Sequence, residues 1–80
     1  MKTIIFTHGA AKDLDALPKD GLFAVTEALS AYAVSGRGDV KRLVDRPGSR
    51  LRIGSYRVVF NDGGDEIEVV YVGRRTTTTY

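Results

Sequence analysis

Cysteine is absent from this chain and histidine occurs once, as His8. No disulfide can form, no thiolate can hold a metal, and one imidazole falls short of the several ligands that zinc and iron centres need. Nor is there a run of ~18 apolar residues that could span a bilayer. The start, Met1-Lys2-Thr3-Ile4-Ile5-Phe6-Thr7-His8, is too short an apolar stretch for a secretory signal and no small-residue cleavage site follows it. The expectation is a cytoplasmic protein that uses neither metal nor cofactor and has no membrane partner.

What remains is an ordinary globular composition. With 80 residues, 42% hydrophobic and 28% charged, the chain makes one domain, residues 1–80, and no more. A chain this short buries only roughly 60–65% of its unfolded surface. The net charge of +2 conceals a division: residues 1–36 carry −1 and residues 37–80 carry +3. Between Arg37 and Arg57 lie seven bases (Arg37, Lys41, Arg42, Arg46, Arg50, Arg52, Arg57) against two acids, Asp39 and Asp45. Eight of the twelve basic residues are arginine, whose planar guanidinium binds phosphate bidentately and stays protonated. A phosphate-bearing or acidic partner is the leading implication.

The chain divides into a helical half and a strand half. Lys2 to Thr7 reads as a strand rich in Ile, Phe and Thr. Ala10, Leu14 and Leu17 then recur at helical spacing, with Thr7 or His8 at the start and Pro18 at the end. Pro18 can also open a second helix, whose apolar positions Leu22, Val25, Leu29 and Tyr32 repeat until Gly36 supplies a left-handed stop. His8 is read as a loop or helix-start residue, and Asp13, Asp15 and Asp20 as carboxylates on or near helix starts, where the helix dipole favours them. Both helices are apolar on one side and need the strands that follow as a surface to cover.

Two glycine turns set the register of those strands. Gly54-Ser55 as a two-residue turn places Ile53 opposite Tyr56, Arg52 opposite Arg57 and Leu51 opposite Val58. Gly63-Gly64 as a second such turn pairs Phe60 with Ile67, Val58 with Val69 and Tyr56 with Tyr71. Leu51, Ile53, Tyr56, Val58, Phe60, Ile67, Val69 and Tyr71 then share the core face. The opposite face receives Arg50, Arg52, Arg57, Val59, Glu68, Val70, Val72 and Arg74. Like charges directly opposed across strands, as Arg52 and Arg57 are, cost a few tenths to about 1 kcal/mol. Either Glu68, diagonal to Arg57, neutralises one of them, or an anionic ligand sits across the face.

The stretches Asp39-Val40-Lys41-Arg42-Leu43, Pro47-Gly48-Ser49-Arg50-Leu51-Arg52-Ile53-Gly54-Ser55-Tyr56-Arg57-Val58-Val59-Phe60 and Val70-Tyr71-Val72-Gly73-Arg74-Arg75 resemble the RelE/ParE superfamily of bacterial toxins, the toxic halves of type II toxin–antitoxin modules. The resemblance implies an α+β fold in the order β-α-α-β-β-β, a helical hairpin packed on one face of a small antiparallel sheet. It implies a cognate antitoxin as partner, contact with DNA only indirectly through the toxin–antitoxin complex, and no metal or cofactor. In the RelE-like branch it further implies a ribosome-dependent mRNA endoribonuclease that inhibits translation. Carried over by motif, the catalytic positions fall on Arg52, Arg57, Arg75 and Tyr80, with Arg50, Arg74, Lys41, Arg42 and Arg46 available to bind RNA. Where many members have a histidine before the last arginine, this chain has Arg74, so strand alternation favours Arg74 and the family motif Arg75 for the strand-end role.

RNA can be cut by its own 2′-hydroxyl, which leaves the protein to orient the strand, stabilise transition-state charge and move two protons. Arginine can do the first two but cannot act as the base. Tyr80 is the candidate proton carrier, because positive neighbours favour its phenolate, or else a ring on which a base stacks. Two alternatives share the fold: a ParE-like DNA gyrase inhibitor, and an inactive toxin-fold protein that only binds antitoxin.

Overall fold

Thr7 opens the first helix as expected: its Oγ1 accepts from the Ala10 N–H at 3.2 Å, satisfying one of the free donors at the helix start. A computed structural model of the chain describes residues 1–44 and 46–74. Its elements are β1 (Thr3–Phe6), α1 (His8–Asp15), α2 (Lys19–Ser35), β2 (Asp39–Arg42), β3 (Ser49–Ile53), β4 (Tyr56–Asp62) and β5 (Glu66–Arg74). Pro18 stands at the start of α2, and Gly36, at φ 74°, ends it in the left-handed conformation that a side chain resists. Asp20 sits in the first turn of α2, but Asp13 and Asp15 belong to the C-terminal half of α1, where the dipole does not favour them. Asp13 instead ties α1 to β5, its Oδ2 accepting the backbone N–H of Val72 at 3.3 Å.

The helical hairpin packs on one face of a sheet, and the α+β architecture is as the resemblance implies. The sheet holds one strand more than expected and is mixed. Its order is β1-β5-β4-β3-β2. Strand β1 lies parallel to β5, with Ile4 opposite Ile67 and Phe6 opposite Val69, while all other pairs are antiparallel. The added strand β2 pairs Val40 with Leu51 and Lys41 with Arg50. One buried cluster joins Ala10, Val25, Leu29 and Ala33 from the helices to Leu51, Val58, Phe60, Ile67, Val69 and Val72 from the sheet.

The Gly54-Ser55 hairpin has the expected register, from Ile53↔Tyr56 to Leu51↔Val58. The second turn lies one residue further on. Gly63 N–H donates to the Glu66 carbonyl at 2.8 Å, so Gly64 and Asp65 are the central pair, with Gly64 at φ 93°. Moving a turn by one residue moves the register by two, so Asp62 faces Ile67 and Phe60 faces Val69, and the inward residues stay inward. Between Phe60↔Val69 and Val59↔Tyr71 the register then shifts, leaving Val70 as an extra residue on β5. Everything after it changes face. Val72, expected outside, is buried, and Tyr71, expected to pair with Tyr56 in the core, is 40% exposed.

An ionic staple closes the end of the sheet. Lys2 Nζ donates to both Asp62 oxygens at 2.8 and 2.7 Å, Tyr32 Oη donates to Oδ2 at 2.9 Å and the Gly64 N–H to Oδ1 at 3.0 Å. These donors hold the Asp62 carboxyl down at about 2, the Lys2 bond contributing most. The unfolded carboxyl titrates near 3.8. A carboxyl depressed on folding stabilises the protein above its unfolded pKa and loses that contribution as pH falls through the folded one. Denaturant midpoints measured from pH 5 to pH 2 should therefore fall with acidification, and Asp62→Asn should flatten that slope; an unchanged slope in the variant would assign the acid sensitivity elsewhere.

Candidate functional site

The face of the sheet opposite the helices is built from two cross-strand rows. In one, Asp39 on β2 lies opposite Arg52 on β3, Arg52 opposite Arg57 on β4, and Arg57 opposite Gly73 on β5. In the other, Lys41 lies opposite Arg50, Arg50 opposite Val59, and Val59 opposite Tyr71. Directly opposed residues in antiparallel strands point to the same side, about 5 Å apart. Four cationic side chains from three adjacent strands therefore share one patch, floored by Val59 and bordered by Tyr71. The alternating residues Leu51 and Val58 are buried on the other side, which fixes the direction of the arginines between them.

The arginines are not equivalent. Arg52 is exposed, whereas Arg50 and Arg57 are half-buried. The Arg50 side chain is only 11% exposed. Its Nη1 lies 3.9 Å from Asp39 Oδ1, a loose approach to a carboxylate that is itself 60% exposed. That Nη1 and the Nε of Arg57 are both shielded from solvent and make no hydrogen bond among the described residues. A buried, unpaired donor costs free energy, and more so on a charged group. Two such donors on one face are a standing demand for an acceptor, and a phosphate oxygen answers it best.

Glu68 does not neutralise this patch. The register places it opposite Asn61, whose Nδ2 donates to Glu68 Oε1 at 3.4 Å, four residues along β4 from Arg57. Together with Glu66, Asn61, Ile5 and Gly63 it lines a shallow pocket at the far end. The open face is thus divided by sign, cationic over β2–β4 and anionic at the β1–β5 end. Among the described residues no group of three His, Asp or Glu side chains could hold a metal ion.

The remaining expected residues are scattered. Arg74 lies on the helix-bearing side, because the extra residue at Val70 reverses its direction, and its guanidinium sits 5.3 Å over the Tyr56 ring. The alternation argument that put Arg74 on the basic face fails for that reason. Arg42 is exposed and alternates with Lys41, which turns it to the side of Val40, and Arg46 is exposed in the link between β2 and β3. Arg75 and Tyr80 lie outside the described residues. Sequence reasoning missed two members of the patch. Asp39 was hidden because a four-residue strand with one inward apolar residue gives little period. Tyr71 was hidden because Val69-Val70-Tyr71-Val72 offers no polar residue to reveal the change of phase.

Solved proteins with this fold include the toxin–antitoxin complex RelBE2 from Mycobacterium tuberculosis, 29% identical, with a TM-score of 0.78 over 92% of this chain and 98% of that one. The isolated RelE toxin of E. coli is 19% identical, with a TM-score of 0.79 over 98% and 88%. The archaeal RelE–RelB complex from Pyrococcus horikoshii is 21% identical, with a TM-score of 0.77 over 96% and 98%. No curated protein sequence matches the chain significantly. No helix among the described residues is long and apolar enough to cross a membrane. The family model for the ParE toxin of type II toxin–antitoxin systems matches residues 4–78. The chain, with its hairpin arginines on the open face of a RelE-type sheet, therefore belongs to the RelE/ParE family of type II toxins.

Proposed function

We propose that this toxin is a cytoplasmic, ribosome-dependent mRNA endoribonuclease. The observation that carries the reading is the convergence of Arg50, Arg52, Arg57 and Lys41 on one sheet face, with Arg50 Nη1 and Arg57 Nε buried and without a hydrogen-bond acceptor among the described residues. In the proposed reaction the ribose 2′-oxygen bonds to the adjacent phosphorus as the bond from phosphorus to the 5′-oxygen breaks, giving a 2′,3′-cyclic phosphate and a free 5′-hydroxyl. RNA supplies the nucleophile, so the protein needs neither a nucleophile of its own nor a metal. Arg50 and Arg52 orient the strand, and Arg57, between them and β5, stabilises the charge that grows on the phosphorane oxygens.

The 2′-hydroxyl must lose a proton and the 5′-oxygen must gain one, and arginine remains protonated throughout. By the family motif, Arg75 joins the charge stabilisation and Tyr80 carries the proton. Arg74, held over Tyr56, is left to anchor the end of β5, while exposed Lys41, Arg42 and Arg46 attract ribosomal RNA or the message. A face with charge and no conventional base makes a weak nuclease on free RNA that depends on the ribosome to arrange the substrate. The partner that silences it is an antitoxin, as in the RelBE2 and Pyrococcus complexes, and an acidic or amphipathic segment of it would complement the cationic face.

The test adds purified protein to ribosomes programmed with a defined message and maps the new 5′ ends. Cleavage should require ribosomes and should vanish when the ribose at the cut position is 2′-deoxy. Continued cleavage of the deoxy message would rule out the chemistry. The match to a ParE family model favours a second reading, inhibition of DNA gyrase on the same fold. That reading predicts DNA-damage signalling on expression with messages left intact.

A further inference from the structure

We infer that Tyr71 is a stacking platform for a nucleotide base next to the cut phosphate, an inference that rests on the nuclease reading above. Of the aromatic residues among the described positions, Tyr71 alone lies on the open face. Phe6, Tyr32, Tyr56 and Phe60 belong to the core and its margin, and Phe23 to α2. Its neighbours on β5, Val69 and Val72, are fully or almost fully buried, yet Tyr71 is 40% exposed, because the extra residue at Val70 turns it outward. Packing against Val59 across the strands occupies only part of the ring, since the residue stays 40% exposed. Its hydroxyl makes no hydrogen bond among the described residues, and the ring contributes to no buried cluster.

The ring is nevertheless held in place. It leans along β5 across Gly73, where a Cβ would collide with its hydroxyl end and come within 2.6 Å of its Cζ and 3.1 Å of a ring carbon. Glycine at 73 is what lets the phenol lie there. Gly73 is the register partner of Arg57, and Val59, the partner of Tyr71, is also the partner of Arg50. By register the ring thus lies one strand from Arg57, through Gly73, and two strands from Arg50, across Val59, on the face where both arginines have a buried donor without an acceptor among the described residues. Cations along a track with an aromatic surface beside them are the means by which proteins hold single-stranded nucleic acid: the charge takes the phosphate and the ring takes the base. An exposed ring next to unpaired guanidinium donors offers both halves of one nucleotide's contacts.

The experiment is single-turnover cleavage on programmed ribosomes with three messages: one intact, and one abasic at each nucleotide flanking the cut phosphate. Tyr71→Ala should slow cleavage of the intact message by about 5- to 150-fold, the range that base–aromatic stacking supplies, and Tyr71→Phe should stay within about 2-fold of the parent because the ring is kept. One abasic message should slow the parent by a similar factor and cause no further loss in Tyr71→Ala, since ring and base act as one pair. The thermal midpoint of Tyr71→Phe should match the parent, and that of Tyr71→Ala should fall by no more than a few degrees, the worth of one cross-strand pair. Full activity of Tyr71→Ala, or penalties that multiply with both abasic messages, would overturn the platform while leaving the nuclease standing. Absence of cleavage by the parent protein on any message would remove the nuclease reading itself, and the platform with it.

Discussion

Arg57→Ala should abolish growth arrest and lower mRNA cleavage by about 10²- to 10³-fold, the loss seen when one preorganised donor to a developing oxyanion is removed. The same variant should fold as well as the parent, or slightly better. Arg57 stands directly opposite Arg52 on the neighbouring strand, and its Nε is shielded with no acceptor. Removing it relieves a like-charge pair that costs a few tenths to about 1 kcal/mol, and also relieves an unpaired buried donor. A structural arginine would behave in the opposite way, with activity and stability falling together. Cleavage on programmed ribosomes and thermal unfolding of the same preparation separate the two. Undiminished arrest in a folded Arg57→Ala protein would remove this residue from the site.

Phe60→Ala has the largest expected effect on stability. Phe60 is fully buried on β4, the strand between β3 and β5, and its ring packs at 5.1 Å and 58° against Tyr32 of α2. Truncating such a side chain removes the transfer term and leaves a cavity, at a cost of about 3–5 kcal/mol. A protein of this length has a total stability of roughly 4–12 kcal/mol, so the loss takes a large share of it. With about 4–8 °C per kcal/mol for a small domain, the melting temperature should fall by roughly 12–40 °C. Chemical unfolding should show the midpoint moved at nearly constant slope. A shift of only a degree or two would mean that the ring does not carry the contact between sheet and α2.

The fold was legible wherever one residue makes a local decision. Thr7, one of two candidate starts, can cap, Pro18 cannot continue a helix but can open one, Gly36 can adopt a positive φ at low cost, and Gly54-Ser55 fits a two-residue turn; each of these set an element boundary to within a residue, or a register. The candidate site was legible to the same extent. Arg50, Arg52 and Arg57 follow from a single hairpin and two-residue alternation, and they do share a face. What failed depended on phase over longer distances. The placement of the second turn was off by one residue, an error that alternation cannot detect because inward residues remain inward. The face of Tyr71, Val72 and Arg74 was inverted because a run of β-forming residues tolerates an extra member without any mark in composition. The parallel pairing of β1 with β5 has no local signal, since it joins residues more than 60 positions apart.

The extra residue at Val70 gives β5 two halves with opposite parity. Before it the odd-numbered Ile67 and Val69 point inward, and after it the even-numbered Val72 does. The strand consequently encodes a count as well as a composition. Its first half is in step with the hydrophobic interior, and its second half is set a step out, which frees a tyrosine for the surface and turns Arg74 back onto Tyr56. Many side chains could replace Val70 without disturbing this arrangement, but no change in the number of residues between Val69 and Tyr71 could. For such a segment spacing is the deciding property, and a comparison that aligned residue types while ignoring length would assign every position beyond it to the wrong side.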